Sequence, residues 1–143
     1  MNKLLLVVAL ICLATAQTVQ ECPTDGTVLE YVIQDSLVCG IRSLTNGKQI
    51  KETFANDCAA CNVGKVEYTV SGKCESYPAQ AQFCSPTQSN AEICTMIYAP
   101  QCGYFNQQVN CLVAPCNIDQ YNRCQTCSTK NVLYTNKGKC PVH

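Results

Sequence analysis

Apolar residues along the chain gather into one long run and several short alternating stretches. Residues 4–13 are an unbroken apolar run of ten, preceded by Lys3 and followed by Ala14-Thr15-Ala16. The run is shorter than the roughly 20 apolar residues that cross a bilayer as a helix, and the small-x-small tail is the form cut by signal peptidase. Residues 1–16 therefore read as a secretory signal, with the mature chain starting near Gln17. Further on, Val66-Glu67-Tyr68-Thr69-Val70 alternates with a period of two and predicts a strand. Asn46-Gly47, between Ile41 and Ile50, predicts a hairpin turn. Asn56 precedes Asp57-Cys58-Ala59-Ala60-Cys61, a capped helical turn in which a three-residue step puts both cysteines on one face. Residues 75–83, with Pro78 and no apolar periodicity, read as a linker.

Composition changes this picture in one respect. The 143 residues include 14 cysteines, one histidine and no tryptophan, and the ten basic residues balance the ten acidic ones. Cysteine near a tenth of a short chain marks a disulfide scaffold made in an oxidising compartment. Loss of the signal would remove Lys3 and Cys12, leaving nine basic against ten acidic residues and an odd 13 cysteines. A chain with no positive surplus has little to attract nucleic acid or an anionic membrane, and neither is expected as a partner.

The cysteines also expose a duplication. Cys39-Gly40, Asn56-Asp57-Cys58, Cys61, Val66-Glu67-Tyr68 and Gly72-Lys73-Cys74 recur as Cys102-Gly103, Asn122-Arg123-Cys124, Cys127, Val132-Leu133-Tyr134 and Gly138-Lys139-Cys140. The last three cysteines of each half are spaced by three and then thirteen residues. Cys22 and Cys84 open the two halves, so the expected units are residues 17–76 and 77–143. Units this small need staples, because the buried apolar area barely exceeds the entropy lost on folding. The expected fold class is small, disulfide-rich α+β, each unit a short helix packed on a small antiparallel sheet.

Other uses of the cysteines fit less well. Cys58-x-x-Cys61 with Cys124-x-x-Cys127 has the spacing of a four-thiolate zinc site, but a secretion signal and nine further cysteines needing partners favour disulfides. No strand-helix-strand unit surrounds either pair as a redox motif requires. The single histidine, His143, is the last residue and reads as a solvated tail. The expectation is a non-enzymatic protein with no metal and no cofactor.

The second half carries Cys94-Thr95-Met96-Ile97-Tyr98-Ala99-Pro100-Gln101-Cys102-Gly103, followed by Tyr121-Asn122-x-Cys124, x-x-Cys127 and Gly138-x-Cys140. It resembles the Kazal family of serine-protease inhibitors, which has Thr after the second cysteine, Tyr in mid-loop and Pro two residues before the third. The segment between third and fourth cysteines is longer here, Tyr121 stands one place nearer the Asn, and the last segment is short, which implies a shortened helix. Spacing alone leaves the connectivity open. The resemblance implies Cys84–Cys127, Cys94–Cys124 and Cys102–Cys140, leaving Cys111 and Cys116 to each other as a local clip. In the first half it implies Cys22–Cys61 and Cys39–Cys74. Tyr31 stands there in place of the second cysteine, and Cys58 becomes the odd one, a thiol or a link to a second chain.

What the resemblance implies for function lies in residues 94–102. In the family this loop enters a protease like a substrate and is cleaved very slowly at the bond two residues after the second cysteine, here Met96-Ile97. Met96 would fill the specificity pocket, Cys94 and Thr95 would lie before it, Ile97 and Tyr98 after it, with Pro100 stiffening the loop and Asn122 bracing it from behind. An unbranched apolar side chain gains roughly 1.5–3 kcal/mol in a hydrophobic slot. In a trypsin-like pocket it would leave a buried aspartate unpaired. Chymotrypsin-, elastase- or subtilisin-like enzymes are the expected partners. The first half lacks the Thr-Met-Ile-Tyr-Ala-Pro motif and is expected to be a scaffold. The alternative is a non-inhibitory extracellular structural or adhesive protein built from the same modules, with Met96 as a core filler.

Overall fold

The computed structural model describes residues 19–27 and 36–142. The expected signal sequence at 1–16, Tyr31 with the start of the first loop, and His143 lie outside the described residues.

The first half contains β1 (Val19–Glu21), β2 (Val38–Ser43), β3 (Gln49–Phe54), α1 (Asp57–Asn62) and β4 (Tyr68–Ser71). Its strands are antiparallel, in the order β1-β4-β2-β3. The hairpin turns at Asn46-Gly47 as expected: the Asn46 side chain accepts from Lys48 N at 3.0 Å, and Gly47 takes a left-handed φ of 80°. The helix starts where Asn56, extended, accepts from Ala59 N at 2.8 Å. The strand expected at 66–70 begins instead at Tyr68. Val66 N turns back to Ala60 O, and Glu67 N reaches Ile41 O at 2.9 Å ahead of the ladder.

The second half adds β5 (Gln82–Phe83), α2 (Pro86–Ser89), β6 (Gln101–Phe105), β7 (Asn117–Gln120), α3 (Arg123–Ser128) and β8 (Val132–Lys137). Its sheet order, β5-β8-β6-β7, repeats the first with each strand replaced by its counterpart. The fold is thus small, disulfide-rich α+β, with two small antiparallel sheets and short helices. Six disulfides hold it: Cys22–Cys61, Cys39–Cys74, Cys84–Cys127, Cys94–Cys124, Cys102–Cys140 and Cys111–Cys116. These are the expected pairs. Three of the four cysteines of the zinc alternative are consumed in them. The glycine after Cys102 also acquires a reason: a Cβ on Gly103 would lie 2.4 Å from Thr126 Cγ2, so only glycine lets α3 approach β6 this closely.

Cys58 lies outside the six disulfides and is 2% exposed. A bond to a second chain needs the sulfur at the surface, and here the helix face that carries it packs inward. Among the described residues no helix is long and apolar enough to cross a membrane.

Residues 75–83 differ most from expectation. They hold a single 3-10 turn at Cys74–Ser76 and then β5, and Ala81 and Phe83 are both 0% exposed. Phe83 joins a cluster with Cys39, Ile41, Tyr68 and Val70 of the first half and Leu133 of the second. Tyr77 and Tyr134 meet its ring edge-on at 4.9 and 6.0 Å. The Phe83 carbonyl accepts from Gln49 Nε2 at 2.8 Å, Tyr68 Oη at 3.2 Å and Arg123 Nη2 at 2.8 Å. Burial pushes the Tyr68 hydroxyl well above its ordinary pKa, so it stays a donor to this carbonyl at all physiological pH. The stretch that reads as a linker is therefore a shared core.

A consequence is that a fragment of residues 77–143 should keep its disulfides but melt well below the intact chain. Phe83 would lose Cys39, Ile41, Tyr68 and Val70 as partners, and with them a large part of the roughly 1.5–3 kcal/mol that burial gives one such side chain. Calorimetry of the two proteins checks this, and equal melting temperatures would contradict it.

Candidate functional site

The segment from Ile93 to Pro100 carries neither helix, strand nor turn, and residues 95–99 are all exposed. Cys94–Cys124 ties its start to α3, and β6 with the Cys102–Cys140 bond fixes its end. Between these anchors Met96 is 79% exposed, with Ile97 and Tyr98 beside it. A side chain this open supports no core, so the reading of Met96 as a core filler does not hold.

Asn122 organises the loop from behind. It is the N-cap of α3, extended and 7% exposed, and its Oδ1 accepts from Gln125 N at 3.0 Å. The same amide's Nδ2 donates to Thr95 O at 2.8 Å and to Ile97 O at 3.0 Å. One side chain thus uses its acceptor on the helix and both donors on the two carbonyls that bracket Met96. The Asn122 cap and the Asn56 cap are equivalent in the two halves.

Further contacts fix the C-terminal part of the loop. Ala99 N donates to Tyr121 O and Gly138 N to Pro100 O, both at 2.8 Å. Tyr98 packs edge-on against Tyr121 with ring centroids 5.8 Å apart. Tyr98, Pro100, Asp119, Gln120, Tyr121 and Lys139 line a shallow hollow of about 230 Å³ just beyond Met96-Ile97. On the other side, Gln125 Nε2 lies 3.7 Å from Met96 Sδ. The sequence reading named Thr95, Met96, Ile97, Tyr98, Pro100, Asn122 and the flanking cysteines, and the fold brings these together. It missed Tyr121 and Gln125 as supports, although Tyr121 had already stood out by its shifted place beside Asn122.

Arg123 holds the start of α3 from the other side. Its guanidinium donates to Gln82 Oε1, Thr135 Oγ1, Phe83 O and Gln88 Oε1 at 2.8–3.4 Å. Ser85 and Gln88 form a capping box on α2 that presents the Gln88 amide to this network. The residue that braces the loop and the one that pins the helix to the shared core are therefore neighbours in sequence.

A second exposed point lies at the far end of β6 and β7, where the Cys111–Cys116 clip closes a small loop and Leu112 is fully exposed. The Cys102–Cys140 disulfide has Asp119 beside it, and the carboxylate accepts from Cys140 N. Both sulfurs there are bonded to each other, so the cluster offers a metal no thiolate. No protein-family model, no curated protein and no solved structure matches the chain.

Proposed function

We propose that the protein is a secreted serine-protease inhibitor of Kazal-like design, acting through residues 94–102 with Met96-Ile97 as the reactive bond. The observation that carries this reading is the Asn122 amide, bonded at once to Thr95 O and Ile97 O while Met96 projects into solvent. A substrate-like loop inhibits only if it stays ordered before, during and after docking, because ordering it on binding would cost affinity. Two disulfides and the side-chain brace supply that order. Met96 selects enzymes with a hydrophobic specificity pocket, and the first unit serves as scaffold. No cofactor, metal or catalytic residue takes part in this reading.

The test is a panel of chymotrypsin, elastase, subtilisin and trypsin titrated with the purified mature chain. Inhibition of one or more of the first three, weaker for trypsin, is expected. A chain inert toward all four would be the adhesive or structural module instead.

Asn122→Asp separates the brace from the cap. Asp caps a helix as well as Asn does, but its carboxylate has no N–H to give Thr95 O and Ile97 O. Each lost bond is worth about 0.5–1.5 kcal/mol, so inhibition should weaken by roughly ten- to a hundredfold, and the loop should be cleaved faster. The melting temperature should fall by no more than these two bonds account for, about a few degrees, because the cap on α3 is kept. Unaltered inhibition and cleavage would show that the brace is not what keeps the loop ordered.

A further inference from the structure

Four cationic side chains far apart in sequence, Lys48, Lys51, Arg123 and Lys137, converge on a cleft between the two units. The cleft comprises two adjoining hollows of about 410 and 660 Å³ that share Lys48, Gln49, Gln82 and Lys137 as walls. Glu67 is the one carboxylate lining it, and that group accepts from Ser43 N. None of the four cations forms an ion pair with a described residue. The Arg123 guanidinium is half-buried and bonded to uncharged oxygens alone. Lys51 Nζ likewise bonds to the carbonyls of Ala79 and Ala81 and lies 5.5 Å from the Phe83 ring centroid. Lys48 and Lys137 are exposed at the mouth.

We propose that this cleft binds the sulfate groups of a sulfated oligosaccharide. Four positive charges against one negative, walled by low-dielectric protein, concentrate anions there although the whole chain is near neutral. Burial lowers the pKa of Lys51 and, against a smaller opposing effect of Tyr68, that of Arg123, so an anion in the cleft would relieve both charges. The remaining walls favour a sugar over a nucleic acid. The side-chain donors of Asn46, Gln82 and Ser85 offer partners for sugar hydroxyls, and no aromatic ring lines the cleft to stack a base. The site is remote in chemistry from the protease loop and does not depend on it.

The experiment uses the full mature chain with a heparin-derived octasaccharide, inorganic sulfate and a single-stranded oligonucleotide of matched charge. Binding of the octasaccharide that falls steeply with added salt is expected. The double variant Lys48→Glu with Lys137→Glu should weaken it by more than about tenfold, since two attractive contacts become repulsive. A charge-matched control, Lys65→Glu with Lys130→Glu, should bind like the parent, and all three proteins should melt alike. Equal loss in the control would reduce the effect to net charge and overturn the site. The proposal also fails if the octasaccharide does not bind at low salt, if millimolar sulfate alone displaces it fully, or if the oligonucleotide binds as tightly.

Discussion

Met96→Lys should turn the proposed inhibitor toward trypsin-like enzymes and away from chymotrypsin-like ones. The side chain at 96 is open to solvent, with the Gln125 amide beside it, so lysine is accommodated without repacking. Inside a trypsin-like pocket its ammonium would meet the acid that methionine leaves unpaired. Close charge pairs at interfaces are worth about 1.5 kcal/mol or more, so inhibition of trypsin should tighten by at least about tenfold. Met96→Gly should weaken inhibition of every target, by roughly the 1.5–3 kcal/mol of burial lost in the pocket and by more if the loop loosens. Neither variant should shift the melting temperature by more than a degree or two. Inhibition constants against the same four enzymes check the switch, and unchanged ratios between them would contradict it.

Phe83→Ala should be the most destabilising truncation within the apolar cluster that the two units share. It removes a fully buried ring from between the two sheets and leaves a cavity lined by Ile41, Tyr68, Val70 and Leu133. Truncations of this kind cost about 3–5 kcal/mol, which for a chain of this size lowers Tm by more than roughly 10 °C. The Phe83 carbonyl with its three donors is main chain and survives, so Phe83→Leu should recover most of the loss. Below the transition, inhibition by Phe83→Ala should match the parent, because the loop brace and its disulfides are untouched. A melting temperature within a degree or two of the parent would mean that the two units do not share a core.

How far the sequence discloses these features follows from how local each one is. Asn56 and Asn122 cap helices through bonds reaching only three residues ahead, and Asn46-Gly47 turns a hairpin with its own backbone, so all three are visible in short windows of sequence. The duplicated cysteine spacing likewise survives into matching sheets and matching disulfides. Residues 75–83 were illegible because Phe83 is buried in good part by Cys39, Ile41, Tyr68 and Val70 of the other unit, which leaves no period in the local pattern. The start of β4 moved to Tyr68 because Val66 and Glu67, alternating like strand residues, are engaged by the end of α1 and by Ile41. The role of Gly103 depends on Thr126 approaching from α3. The cationic cleft gathers lysines at 48, 51 and 137 with an arginine at 123, each of which in its own window looks like an ordinary solvated charge.

The Asn122 contacts stand between these cases. Its cap was legible, and its reach across to Thr95 and Ile97 was implied only by the resemblance of residues 94–102 to an inhibitor loop. The bracing bonds at 2.8 and 3.0 Å are therefore the feature on which the functional reading depends.

The most direct test is to incubate the mature chain with a small molar fraction of an enzyme it inhibits and to follow the products by mass spectrometry and N-terminal sequencing. A single slow cleavage is predicted, giving one new N-terminus at Ile97, with the two pieces held together by Cys84–Cys127 and Cys94–Cys124 and still inhibitory. Rapid digestion at several bonds, or a first cut elsewhere with Met96-Ile97 intact, would contradict the account.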